Sequence, residues 1–141
     1  MIRKFIYTEI DFGKGWVFLD CFHISTTLSL NEQEDFLTED LLAIAFGEGQ
    51  YIIDIGWHSA NRWYKKGSFQ IKLVNNSNWS KPILKMRCYS LQELDNYLVK
   101  YVEFVREKTE NYTKFPNIKD EFKINDKMSF ISSYSSENRD D

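Results

Sequence analysis

Four groups of residues in this chain have types and spacings that chemistry uses. Cys21-Phe22-His23 sets a thiol and an imidazole two residues apart, on one face if the run is a strand, as a metal-ligand pair or a nucleophile with its base would be. His58-Ser59 with Asp54 supplies the residue types of a hydrolase triad. Glu34-Asp35 and Glu39-Asp40 are paired carboxylates of the kind that hold Mg²⁺ or divide acid and base work between them. Gly13-Lys14-Gly15 and Gly47-Glu48-Gly49 have the glycines of phosphate-binding loops. Each group lacks what would complete it. No CxxC or HxxxH accompanies Cys21, and a free cysteine in an apolar run is more readily a core residue than a nucleophile. Ser59 has no G-x-S-x-G elbow, and neither glycine pair continues into a dinucleotide or P-loop fingerprint, so both read as turns. Carboxylates on a helix are ordinarily a solvated face. The expectation is therefore a protein that is not an enzyme, with no catalytic residue, no metal and no cofactor.

The elements that must position these residues follow from periodicity. Ile2 to Ile10 is rich in β-branched and aromatic residues and stops at a Gly-rich turn, which predicts an N-terminal strand or hairpin. Trp16 to Ile24 is apolar without a clean period, so strand and helix both remain open there. Asn31 with Glu34 resembles a capping box, and the patchy stripe behind it predicts a short helix over about 39–46, ending at Gly47 and Gly49. Tyr51, Ile53, Ile55 and Trp57, then Phe69, Ile71 and Leu73, then Leu84, Met86 and Cys88 alternate with polar or small residues, as in a three-stranded antiparallel meander. Ser90-Leu91-Gln92-Glu93 is a capping box for a long amphipathic helix that carries Leu91, Leu94, Leu98, Tyr101, Val102 and Val105 on one face. A sheet with one apolar face beside such a helix is an α+β arrangement, since each covers the other. From Glu107 onward Tyr112, Phe115, Phe122, Ile124, Phe130 and Ile131 are spaced as docking residues. One domain over 1–131 and a disordered tail over 132–141 are expected.

Composition bounds the function class. The 141 residues are 43% hydrophobic and 28% charged, values of a globular chain rather than a disordered or membrane-spanning one. A net charge of -3 removes the global basicity of a protein that coats nucleic acid. Thr8, Glu9, Asp11 and Lys14 interrupt any apolar leader, and two cysteines are too few for a disulfide framework, so a cytoplasmic protein with no membrane contact is expected. The charge is nevertheless segregated. Residues 31–54 hold seven acidic and no basic residues, and residues 55–92 hold seven basic and no acidic ones. Opposite blocks of this kind either neutralise each other in the fold or steer charged partners. The basic block also carries Trp57, Trp63, Tyr64 and Trp79; Trp57 is expected against the helix, and Trp63, beside Arg62, Lys65 and Lys66, as the exposed contact.

The stretch from Ile53-Asp54-Ile55-Gly56-Trp57-His58 through Gly67-Ser68-Phe69-Gln70-Ile71, Asn78-Trp79-Ser80-Lys81-Pro82 and Ser90-Leu91-Gln92-Glu93-Leu94 resembles the small bacterial immunity proteins of contact-dependent inhibition and related polymorphic-toxin systems. The resemblance covers about residues 51–105. It implies a protein without catalytic residues that binds one cognate toxin domain, often a nuclease, and occludes its active site or substrate path. The acidic residues Glu32, Glu34, Asp35, Glu39 and Asp40 are the expected match to a basic nuclease cleft, with Trp63 or Trp79 as an anchor. The alternative expectation is a single-stranded nucleic-acid-binding module. It would use a basic face of Arg62, Lys65, Lys66, Lys72, Lys85 and Arg87 with the aromatic residues as stacking platforms.

Overall fold

The structure, a computed structural model, describes residues 1–62 and 66–109. The expectations for Trp63, Tyr64 and Lys65, for the docking residues from Tyr112 to Ile131 and for a tail over 132–141 lie outside the described residues.

The chain is α+β, as its alternating patterns require. β1 (Ile2–Lys4) and β2 (Glu9–Asp11) pair as a hairpin, with Arg3 opposite Ile10. A five-stranded antiparallel sheet follows in chain order, β3 (Trp16–Asp20), β4 (Leu42–Phe46), β5 (Tyr51–His58), β6 (Ser68–Asn75) and β7 (Leu84–Cys88). The expected meander is its β5–β6–β7 half. The long helix α1 (Leu91–Thr109) covers one face of the sheet, and the six residues read from the sequence as its apolar face are all buried. Its start is capped as the sequence requires, the Glu93 N–H donating to Ser90 Oγ at 3.1 Å. Arg106 and Lys108 in the last turn suit the negative end of the helix dipole.

Two expectations are corrected. The predicted short helix over 39–46 is instead strand β4. Leu41 to Phe46 are all buried, because β4 lies between β3 and β5 and has cover on both faces. Leu42, Ile44 and Phe46 join the helix-side core, while Ala43 and Ala45 join a second cluster on the other face. A six-residue apolar run buried on both sides carries no period, and strand is the conformation that uses it. The short helix of this fold is a 3-10 turn over Asn31–Phe36 whose N-cap is Leu30, without a side-chain cap, and the reciprocal bonds that brace its start join Ser29 and Glu32 rather than Asn31 and Glu34. The Ser29 N–H donates to Glu32 Oε1 at 3.2 Å, and the Glu32 N–H donates to Ser29 Oγ at 3.3 Å. The N-terminal run also resolves into a hairpin, whose turn is held to α1 by the buried carboxylate of Asp95. It accepts the N–H groups of Tyr7 (3.1 Å) and Thr8 (3.3 Å) and the Thr8 hydroxyl (2.5 Å).

The two faces of the sheet differ in character. Ile53, Ile55, Phe69, Ile71, Leu73 and Cys88 face α1 in the main core. Their alternates Asp54, Gly56, His58, Ser68, Gln70, Lys72, Lys85 and Arg87 face the opposite way, beside an apolar patch of Ala43, Ala45, Ile52, Val74 and Trp79.

Candidate functional site

The acidic run is divided by the fold into two parts. Glu32, Glu34 and Asp35 are exposed on the 3-10 turn. Glu39 and Asp40 are carried elsewhere by a bulge at the edge of β5. The Trp57 N–H donates to Thr38 O at 2.8 Å and the Leu41 N–H to Ile55 O at 3.0 Å, so Glu39 and Asp40 are looped out between two anchored residues. The bulge sits directly on Gly56, where a Cβ would fall 2.0 Å from Glu39 O. Glycine is required there by close backbone approach. Of the other acids in residues 31–54, Asp54 is buried opposite Lys72, and Glu48 lies in the β4–β5 turn with a positive φ of 60°. The single acidic block of the sequence thus becomes an exposed lip of three acids, the looped-out pair Glu39 and Asp40, a turn residue, Glu48, and one buried charge, Asp54.

Between the lip and the sheet lies a groove of about 720 Å³. Leu30, Glu34 and Leu37 form its lip side, and Trp57, Lys66 and Tyr89 come from the strand ends opposite. Trp57 is half-buried, its ring edge-on to Phe69 with centroids 4.9 Å apart, and its indole lies over Gly67, where a Cβ would meet it at 2.4 Å. The combination is a depression of mixed polar and apolar lining with aromatic walls, a carboxylate (Glu34) on one side and a lysine (Lys66) on the other. Such a depression can desolvate an inserted side chain while the rim orients the molecule that carries it. Tyr89, Leu30 and Leu37 were not singled out by the sequence, since nothing in their spacing separates a groove wall from a core residue.

The polar face is a second concentration of charge. Four of the six buried polar side chains among the described residues, Asp54, Ser68, Gln70 and Lys72, lie on it. Arg87 Nη2 donates to Ser68 Oγ at 2.6 Å. Burial holds the Lys72 ammonium below its ordinary pKa, opposed by the facing Asp54 carboxylate and reinforced by Lys85. His58 is likewise pushed below its ordinary value of 6.5, first by burial and then by Lys72, Arg87 and Lys85, with Glu39 pulling the other way. His58 is therefore neutral at pH 7. A histidine whose folded pKa is lowered binds fewer protons folded than unfolded as pH falls below 6.5, so stability declines through that window toward the folded pKa. The expected result is an NMR titration midpoint for His58 below 6.5, and a shallower acid loss of stability in His58→Gln; a midpoint at or above that value contradicts this electrostatic arrangement.

Several expected site residues are placed differently. Trp79 is buried in the second cluster, because the apolar side chains of Ala43, Ala45, Ile52 and Val74 leave a surface that its ring covers; it is not an exposed anchor. Lys72 is 1% exposed, which removes it from any phosphate-contacting face. With Trp79 buried and Trp57 on the helix side, the basic face keeps Lys85 and Arg87 but neither of these two indoles as a stacking platform. Arg62 and Lys66 are exposed in the connection between β5 and β6. Cys21 is exposed just past the end of β3 rather than in the core, because the apolar run loses its strand at Asp20. Cys88 is the buried cysteine, its thiol pushed up to about 11 by burial and by Glu93, so it stays protonated and unreactive at neutral pH. Asp54 faces Lys72, whose charge it supports, which argues against a triad with His58 and Ser59.

Among the described residues no group of three or more His, Cys, Asp or Glu could hold a metal ion, and no helix is long and apolar enough to cross a membrane. No protein-family model, curated protein or solved structure matches this chain.

Proposed function

We propose that this chain is an immunity-type protein that binds a single protein toxin in the cytoplasm and neutralises it by covering its active site or substrate path. The observation that carries this reading is the groove of Leu30, Leu37, Trp57 and Tyr89 with Glu34 in its lining and the exposed carboxylates of Glu32 and Asp35 on the same 3-10 turn. A protein inhibitor needs an anchor that becomes desolvated on binding for slow release and charge nearby for fast encounter, and here aromatic walls and exposed carboxylates adjoin. A toxin with a basic cleft, such as a nuclease, is the class that the acidic lip fits. The resemblance over residues 51–105 points the same way. The nucleic-acid reading has less support, since Lys72 and Trp79 are buried.

The test is affinity capture from the native host with the wild-type chain and with the triple variant E32K/E34K/D35K. The three side chains are exposed, and E32K takes from the Ser29 N–H its acceptor, a local loss of about 1 kcal/mol that leaves the sheet and α1 folded; circular dichroism and the unfolding midpoint check this before binding is compared. The wild type is expected to retain one polypeptide in stoichiometric amount, toxic when expressed alone and harmless when co-expressed with the wild-type chain. Association of that polypeptide with the triple variant is expected to be slower by about tenfold or more, with loss of protection. Unchanged association and protection remove the acidic lip from the interface. Absence of any retained toxin from the native host overturns the reading itself.

A further inference from the structure

β7 is the last strand of the sheet, and no described strand covers its outer edge. Its five residues alternate between the two faces. Leu84, Met86 and Cys88 lie on the helix side, opposite Leu73, Ile71 and Phe69, whereas Lys85 and Arg87 lie on the polar side opposite Lys72 and Gln70. Cations on an edge strand are a common guard against edge-to-edge aggregation. A guard does not call for the apolar residues that accompany them here. Ile83, Met86 and Tyr89 are 43%, 37% and 51% exposed, and Tyr89 directly continues β7 into the wall of the groove.

We propose that β7 is an acceptor strand, to which the toxin partner adds an extended segment whose acidic side chains face Lys85 and Arg87 and whose apolar side chains face Met86. An unpaired strand edge supplies main-chain donors and acceptors to any extended chain, and the side chains that alternate along it select which chain is accepted. The selection here is for negative charge on one side and apolar surface on the other. A second copy of this chain is disfavoured. Antiparallel two-fold pairing centred on Met86 sets Lys85 of one copy against Arg87 of the other, and like charges directly opposite are destabilising. The binding surface is therefore bipolar, with the acidic lip, the aromatic-walled groove and the basic edge strand in succession. A partner with charge of only one sign satisfies half of it.

This inference deepens the immunity reading and rests on it for the existence of a protein partner, but its test does not use the acidic lip. The probe is a blocked peptide of about six residues alternating Glu and Val, the length of an average strand. It is titrated into the full-length chain while backbone amides are followed by NMR and hydrogen exchange. The expected result is chemical-shift change and slowed exchange confined to Leu84–Cys88 and its flanks. Lys85→Glu, which leaves the Arg87–Ser68 bond in place, is expected to weaken the peptide about tenfold and to favour a Lys-Val peptide instead, with core amides unmoved. No perturbation of β7, or perturbation equal for both peptides, overturns the proposal. So does an oligouridylate that shifts these amides when the acidic peptide does not, which would make the edge a nucleic-acid contact. Failure here together with intact loss of protection in E32K/E34K/D35K rejects the acceptor strand and keeps the immunity reading.

Discussion

Replacing Gly56 with alanine is expected to destabilise the chain by about 3 kcal/mol or more, the upper end of what an added methyl group costs in a packed interior. The new Cβ would lie 2.0 Å from Glu39 O and 2.9 Å from its carbonyl carbon. Both atoms are backbone, so no rotamer change relieves the contact. The neighbouring residues are pinned by the Trp57–Thr38 and Leu41–Ile55 hydrogen bonds, and relief requires breaking at least one of them. Urea unfolding of G56A should show a large fall in midpoint. If the variant folds by lifting the bulge, Glu39 is carried away from His58. The influence that raises the imidazole pKa is then lost, and its NMR titration midpoint moves further down. An unfolding midpoint and a His58 titration both equal to those of the wild type would show that the bulge does not rest on Gly56.

Asp95→Ala is expected to cost about 3 kcal/mol, because it leaves the two N–H groups of the Tyr7–Thr8 turn and the Thr8 hydroxyl without their shared acceptor. Asp95 is 1% exposed, so water does not replace the carboxylate without opening the contact between hairpin and helix. Asp95→Asn separates the roles of its two oxygens. Its amide oxygen can still accept from both backbone N–H groups, whereas its NH₂ takes the place of the oxygen that accepts the Thr8 hydroxyl; a loss of about 1 kcal/mol is expected. Hydrogen exchange should locate the damage in Asp95→Ala at residues of β1 and β2, with β5 and β6 still protected. Equal stability of the alanine and wild-type chains would show that the hairpin is held by its apolar contacts alone.

The legible parts of the fold are those with a strong local period. Ser90 and Glu93 announce the start of α1, and the six apolar positions behind them all reach the core. The alternation in β5, β6 and β7 gives the faces as well as the strands. β4 was not legible as a strand, because Leu41 to Phe46 is apolar throughout and only its neighbours on both sides decide the conformation. The Ser29–Glu32 pair that braces the 3-10 turn was present in the sequence, yet two residues on, Asn31 and Glu34 offer the same spacing, and a 3-10 turn has no long stripe to choose between them. Of the candidate site, the acidic residues on the lip were legible as charge without location. Its groove was not, since Leu30, Leu37, Trp57 and Tyr89 come from separate parts of the chain.

By itself the sequence determined the α+β class, the capped amphipathic helix, the meander and the separation of acidic from basic residues, because each is written in neighbours a few positions apart. Only the tertiary structure decided which charges are surface and which are interior. Lys72 and Asp54 face each other inside the sheet's polar face, whereas the sequence shows only that they belong to opposite charge blocks. Trp79 is covered and Tyr89 uncovered for the same reason, since burial depends on what a distant segment places over a side chain, and no local pattern records that.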